Sequence, residues 1–319
     1  MKLAFLFPGQ GAQKVGMGQA LADAHPLARE TFATADRVLG TSLSRLCWEG
    51  PADELKKSVN TQPALLTHSV AAWRLLDAAG LTPSFTAGHS LGEYSAAVAA
   101  GALRFEDALV LVRERGRLMY EAGLARPGTM AAVLGLDLAQ VEAACAAAAD
   151  AGIVVPANLN APGQIVVSGE IPAVDRACEE AKARGARRAI KLEVSGAFHS
   201  PLMASAADGL AHALAKVTFA EPACPVIANV SAAPQASAAG IHDSLTAQLL
   251  GAVRWEDSMR RLAGEGVTFV ELGTGTVLKG LLRTIAPDAA CLNVDDPASL
   301  QATLAALGAV APAGEGGGA

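Results

Sequence analysis

The chain has little that would suit a disulfide-stapled, membrane-spanning or nucleic-acid-binding protein. Its five cysteines (Cys47, Cys145, Cys178, Cys224, Cys291) are an odd set with no C-x-x-C spacing. That argues against a disulfide framework or a zinc site and for reduced thiols in the cytoplasm. Aromatics are 4% of the residues, and Lys+Arg 25 against Asp+Glu 31 leaves a net charge of −6. A nucleic-acid binder needs a basic surface with stacking side chains, so none is expected as partner. No run approaches the ~18 apolar residues of a membrane span. The apolar start at Leu3–Phe7 is cut by Pro8-Gly9, too soon for a secretory leader. No tandem repeat is present. The Gly-rich loops also fail as nucleotide sites. Gly9-Gln10-Gly11 has Lys14 where a dinucleotide fingerprint needs a third glycine, and neither it nor Gly273-Thr274-Gly275 leads into the Gly-Lys-Ser/Thr of a P-loop.

What remains is an ordinary globular composition, 51% hydrophobic and 18% charged over 319 residues, enough for one large α/β domain or two smaller ones. The apolar run Leu3–Phe7 predicts a buried parallel strand, followed by helical stretches to about residue 46. Helices are expected at 62–79, 91–100 and 107–123, with a short strand at 85–87 before Gly88. From Thr129 the pattern changes to strand 129–136, helix 138–149, two strands within 154–168, helix 171–184 and strand 188–194. That order, β-α-β-β-α-β, is the ferredoxin-like unit. It reads as a small subdomain over 127–195 set into a core made of 1–126 and 196–310. Strands at 226–230 and 267–272 and a helix at 277–285 complete the core, and the Gly/Ala/Pro-rich tail 311–319 is expected to be disordered.

Gly88-His89-Ser90-Leu91-Gly92 is G-x-S-x-G, between a short strand and a helix. Such a turn holds a serine in strained backbone geometry at a helix N-terminus, where free N–H groups favour developing negative charge. The Leu91 N–H would be one oxyanion donor, and glycines flanking Gln10 could let its N–H approach as the second. The motif alone also fits a helix cap, with Ser90 and Glu93 as a capping box. Arg115 is the unusual residue. Ala108, Leu111, Val112, Arg115, Leu118, Met119 and Ala122 share one helical face. A guanidinium in that stripe must meet an anion, either a protein carboxylate or a substrate's, and its planar fork suits bidentate binding. Of six histidines, His199 lies on a loop after a strand, where ligands of α/β sheets bind. His89 beside Ser90 should point away, His68 and His212 sit in helices, and His25 and His242 lie in polar turns. No acid stands out as a third triad member.

With Pro8-Gly9-Gln10-Gly11-Ala12-Gln13, Asn60 through Ala64, Gly88 through Tyr94, Arg115 through Met119, Asn158 through Gln164, Ala197 through Ser200 and Gln248 through Trp255, the sequence resembles the malonyl-CoA:acyl-carrier-protein transacylases nearly end to end. The resemblance implies an α/β-hydrolase-like core with an inserted ferredoxin-like subdomain. It implies Ser90 as nucleophile, His199 as base, and the N–H groups of Gln10 and Leu91 as oxyanion hole. Arg115 would bind the malonyl carboxylate, Gln248 would orient His199 through its carbonyl, and Phe198 and Asn160 would line the substrate site. The implied substrates are malonyl-CoA and the phosphopantetheine arm of acyl carrier protein, in fatty-acid synthesis, with no bound cofactor or metal and a monomeric chain. A serine thioesterase, or the malonyltransferase of a polyketide or malonate decarboxylase system, would use the same residues. Carrier proteins of this family are usually acidic, so the basic run Lys182, Arg184, Arg187, Arg188 and Lys191 is the candidate docking patch.

Overall fold

The computed structural model describes residues 1–310; the tail expected to be disordered lies outside them. Among the described residues, ten strands fall in two sheets. In chain order they are β1 (Leu3–Phe7), β2 (Phe85–Gly88), β3 (Gly128–Leu134), β4 (Val154–Ala161), β5 (Gln164–Glu170), β6 (Arg188–Lys191), β7 (Val226–Ile227), β8 (Pro234–Gln235), β9 (Thr268–Leu272) and β10 (Cys291–Val294). The larger sheet runs β10-β9-β1-β2-β7-β8, parallel except for the last, two-residue strand.

The central β1 is apolar at every position because both of its faces are covered. Leu3, Phe5 and Phe7 pack with the helices Ser58–Ala78 and Phe105–Ala125, while Ala4 and Leu6 face Trp255, Met259 and Leu278 on the other side. In a parallel sheet all strands end on the same edge. The loops carrying Gln10, Ser90 and Asn229 therefore leave β1, β2 and β7 side by side, the position where open α/β sheets bind ligands.

The second sheet is antiparallel, ordered β4-β5-β3-β6, with the helices Leu138–Ala147 and Ile171–Ala183 on one face. It has its own core, including Val133, Val141, Ile165, Val167 and Val174. Its other face sends Met130 and Val166 into the main core. The two sheets are stitched where Val253 N–H donates to Ala157 O at 2.8 Å and Leu159 N–H donates to Val253 O at 2.9 Å.

Several expected elements are corrected. The helix expected from residue 62 begins at Ser58, four residues earlier, with Pro63 inside it. The strand expected over 188–194 stops at Lys191, and Leu192 and Val194 instead line a cleft. The strand expected over 226–230 stops at Ile227 because Ala228 N–H turns back to Ala233 O at 3.0 Å. His242 lies in the helix Ala238–Ala247 rather than in a turn. The strands β8 and β10, too short or too polar for a periodic signal, were not anticipated.

The glycines of the turn after β2 are required by close approach. A Cβ on Gly88 would sit 1.9 Å from the Gly92 carbonyl carbon, and one on Gly92 would sit 2.0 Å from Phe7 O. Gly280, inside the helix Val277–Ile285, meets nothing within 4 Å. Gly88→Ala should therefore lower the urea midpoint sharply, while Gly280→Ala should raise stability by about 0.5–1 kcal/mol through helix propensity. Equilibrium urea unfolding of both variants checks the contrast.

Candidate active site

Ser90 follows β2 at a left-handed φ of 51°, a strained conformation for a non-glycine residue costing about 1–3 kcal/mol. Its backbone is fastened: Ser90 N–H donates to Asn229 Oδ1 at 2.7 Å, and Asn229 Nδ2 donates to Gly88 O at 2.7 Å. The hydroxyl is not a cap, since the helix Gly92–Ala99 has no side-chain cap. It faces His199 instead, with Oγ 2.8 Å from Nε2. His199 also has a positive φ, 57°. Its Nδ1 lies 3.0 Å from the Gln248 carbonyl and 3.1 Å from the Gly251 carbonyl. Two carbonyls on Nδ1 require the proton there, leaving Nε2 as the acceptor for the serine hydroxyl. The expected contact of His199 with the Gln248 carbonyl is present; the Gly251 carbonyl was not anticipated.

Arg115 is 1% exposed, in the middle of the buried stripe. Its Nη2 donates to Ser90 Oγ at 3.0 Å and to Gln248 Oε1 at 2.9 Å, and its Nη1 donates to Gln62 Oε1 at 3.0 Å. Gln62 Nε2 in turn donates to Met119 Sδ at 3.3 Å, and the Arg115 guanidinium lies 5.7 Å from the Tyr94 ring centroid. Neutral acceptors thus hold the cation, and no carboxylate among the described residues forms an ion pair with it. Burial pulls the guanidinium below its ordinary value. Burial, and then the charge of Arg115, push His199 down to about 3.

The cleft of about 110 Å³ beside Ser90 is lined by Gln10, Arg115, Met119, Phe198 and His199, among others. A second cleft of about 250 Å³ shares Gln10, His89, Asn158 and Leu192 with the first. Asn160 lines only the second, where its Oδ1 lies 2.8 Å from His89 Nε2. His89 is tilted on Trp255 and, against expectation, lines the first cleft together with Ser90. The Gln10 side chain reaches the Ser58 hydroxyl at 3.1 Å. Of the basic run, Arg184 pairs with Glu180 and Lys191 with Asp175.

Three residues at this site were missed. Asn229 and Glu93 read as an ordinary strand end and a cap partner, and Gln62 stood inside a quoted motif without a role. Glu93 is 1% exposed, accepts from Gln248 Nε2 at 2.6 Å and from Asn229 N–H at 3.3 Å, and is pushed up to about 7 by burial. Only the fold shows that these polar side chains meet.

A strained serine on a histidine at a strand end, with a buried cation beside it, defines an acyl-transfer class of site, and the acyl transferase domain family matches residues 4–288. The malonyl CoA-acyl carrier protein transacylase of Bacillus subtilis is 48% identical over 96% of this chain and 97% of its own, and that of Salmonella typhimurium is 46% identical over 95% and 99%. The crystal structure of an acyl carrier protein S-malonyltransferase from Vibrio cholerae superposes with a TM-score of 0.92 at 44% identity, covering 95% of this chain and 100% of that one. A type II polyketide acyl carrier protein in complex with its malonyl-transacylase matches equally, with a TM-score of 0.92 at 44% identity over 96% and 100%. The chain belongs to the malonyl CoA-acyl carrier protein transacylase family and is an acyltransferase.

Because burial and Arg115 disfavour the imidazolium, His199 should stay neutral far below the usual histidine range. The rate of Ser90 labelling by a fluorophosphonate should therefore show no tenfold-per-unit loss between about pH 8 and pH 5. A unit-slope limb centred near 6.5 would contradict this.

Proposed function

We propose that the chain carries a malonyl group from malonyl-CoA to the phosphopantetheine thiol of acyl carrier protein through a malonyl ester on Ser90, supplying fatty-acid synthesis. The observation that carries this reading is a buried guanidinium 3.0 Å from the serine oxygen that none of the described carboxylates binds directly. Such a cation is costly unless an anion meets it. A three-carbon diacid esterified to Ser90 would place its free carboxylate there, displacing neutral acceptors, and bidentate charge-assisted bonding would favour it over an acetyl group.

In this scheme His199 Nε2 takes the Ser90 proton as Oγ attacks the thioester carbonyl. The N–H groups of Gln10 and Leu91 would hold the oxyanion, donors of a kind worth about 10²–10³ in rate. The C–S bond breaks, His199 returns the proton to the departing sulfur, and coenzyme A leaves. The carrier thiol then attacks the ester in the reverse sense, giving ping-pong kinetics. Phe198 would shape the acyl pocket, and the cleft bounded by Asn160 would take the thioester-bearing arm. No bound cofactor enters the scheme. The reading places the enzyme in the cytoplasm as a monomer; no described helix is long and apolar enough to cross a membrane.

The second sheet, ordered β4-β5-β3-β6 with two helices on one face, supports a ferredoxin-like subdomain over 127–195, inserted in an α/β-hydrolase-like core of 1–126 and 196–310. Among the described residues, Lys182, Arg187 and Arg188 of its basic run form no ion pair and would meet an acidic carrier. The polyketide carrier bound to a relative favours one second reading, a malonyltransferase of that pathway.

Radiolabelled malonyl-CoA should label the Ser90 peptide, and carrier protein should then remove the label as malonyl-carrier. Release as free malonate would identify a thioesterase instead. Arg115→Ala should lower malonyl transfer by about 10²-fold or more while sparing acetyl transfer; unchanged malonyl preference would refute the assignment. Reversing the charge at Arg187 and Arg188 should raise KM for the carrier without changing KM for malonyl-CoA.

A further inference from the structure

Among the described residues Glu93 is the one buried carboxylate at the site, and the acyl-transfer scheme gives it no task. It is separated from Arg115 by a single amide. Gln248 Nε2 donates to Glu93 Oε2 at 2.6 Å, and Gln248 Oε1 accepts from Arg115 Nη2 at 2.9 Å. The same Gln248 amide donates to Ser90 O at 2.9 Å, so the relay runs beneath the nucleophile. Among the described residues, the titratable groups acting on Glu93 are Arg115 from the helix Phe105–Ala125 and Tyr94 from its own helix; the His199 ring meets Gln248 at its backbone carbonyl instead, with the His89 ring beyond it. Both rings are held toward the neutral form by burial.

We propose that Glu93 is the resting counter-ion of Arg115 and takes up a proton when the malonyl carboxylate arrives, so that this buried site never carries two anions against one cation. Glu93 would act through Gln248 as a positioning and specificity residue for malonyl over uncharged acyl groups. The inference rests on the malonyl-Ser90 reading.

With Glu93 ionised, the resting site holds one cation and one anion. A malonyl ester adds a second carboxylate at the guanidinium, and like charges sharing a desolvated site raise each other's proton affinity. Glu93 is the more weakly held of the two, because an amide stands between it and Arg115. Burial already pushes it up to about 7, with Gln248, Asn229 and Arg115 opposing. A further rise would leave it protonated at neutral pH. Protonation does not undo the relay, since the carbonyl oxygen of the acid still accepts from Gln248.

The acyl transfer itself consumes no proton. The C–S bond breaks, the C–O ester forms, and the serine proton ends on the coenzyme A sulfur. A proton taken from solvent during loading therefore reports another group.

The test is a single loading of the enzyme with malonyl-CoA in weak buffer at about pH 7.5, followed with a pH-indicator dye and by mass spectrometry of the Ser90 peptide. The expected result is the adduct with a substantial fraction of one proton taken up per ester. The same loading at about pH 5.5, where Glu93 is already protonated, should take up none. Glu93→Gln should form the ester with no uptake at either pH. Adduct without uptake in the native enzyme, uptake undiminished at the lower pH, or equal uptake in Glu93→Gln would each overturn the inference. Absence of the adduct would overturn the acyl-serine reading itself, together with what rests on it. The native-enzyme arms decide the matter even if the variant fails to fold.

Discussion

A guanidinium buried among apolar side chains sets the terms for the rest of this site. Taking Arg115 out of water costs several kcal/mol, and the fold answers that cost with neutral oxygens from Gln62, Gln248 and Ser90. Neutral acceptors stabilise the cation only in part. The site is thereby poised for an anion while remaining able to release it, which a permanent ion pair on Arg115 would not allow. The same charge disfavours protonation of His199, so one residue prepares the binding of an acid and keeps the neighbouring imidazole neutral, its Nε2 free to accept a proton, at neutral pH.

Geometry around the serine follows from backbone packing. The β2 turn must let Gly88 and Gly92 come within contact of neighbouring main chain, and Asn229 ties Gly88 to Ser90 within it. Only then is the positive φ of Ser90 over-determined enough to persist. The histidine is fixed by comparable means, through carbonyls of the 248–251 segment. That segment leads to Val253, which joins the second sheet. Residues distant in sequence thus share one support.

Much of this could be read in the sequence. β1 shows as a run apolar at every position because both faces are covered, and Arg115 shows because helical periodicity sets it among aliphatic neighbours. Its place on a loop at a strand end made His199 the best of six candidate bases, by a narrow margin, and the family resemblance pointed to the same residue. Glu93, Gln62 and Asn229 stayed silent for a physical reason. Each is a polar residue whose partner lies far along the chain, 155 residues away for Glu93 and Gln248, and no local pattern encodes such a meeting. The 188–194 segment misled because Leu192 and Val194, beyond the end of β6, are apolar where they pack on the main core and line the cleft.

The central claim is that Arg115 recognises a free carboxylate rather than the shape of the acyl group. The direct measurement compares kcat/KM for malonyl-CoA with that for its neutral carboxamide isostere, in the native enzyme and in Arg115→Ala. The account predicts a preference of about 10²-fold or more for the acid in the native enzyme, reduced nearly to unity in the variant. Equal use of acid and amide by the native enzyme, or a preference that survives the loss of the guanidinium, would contradict it.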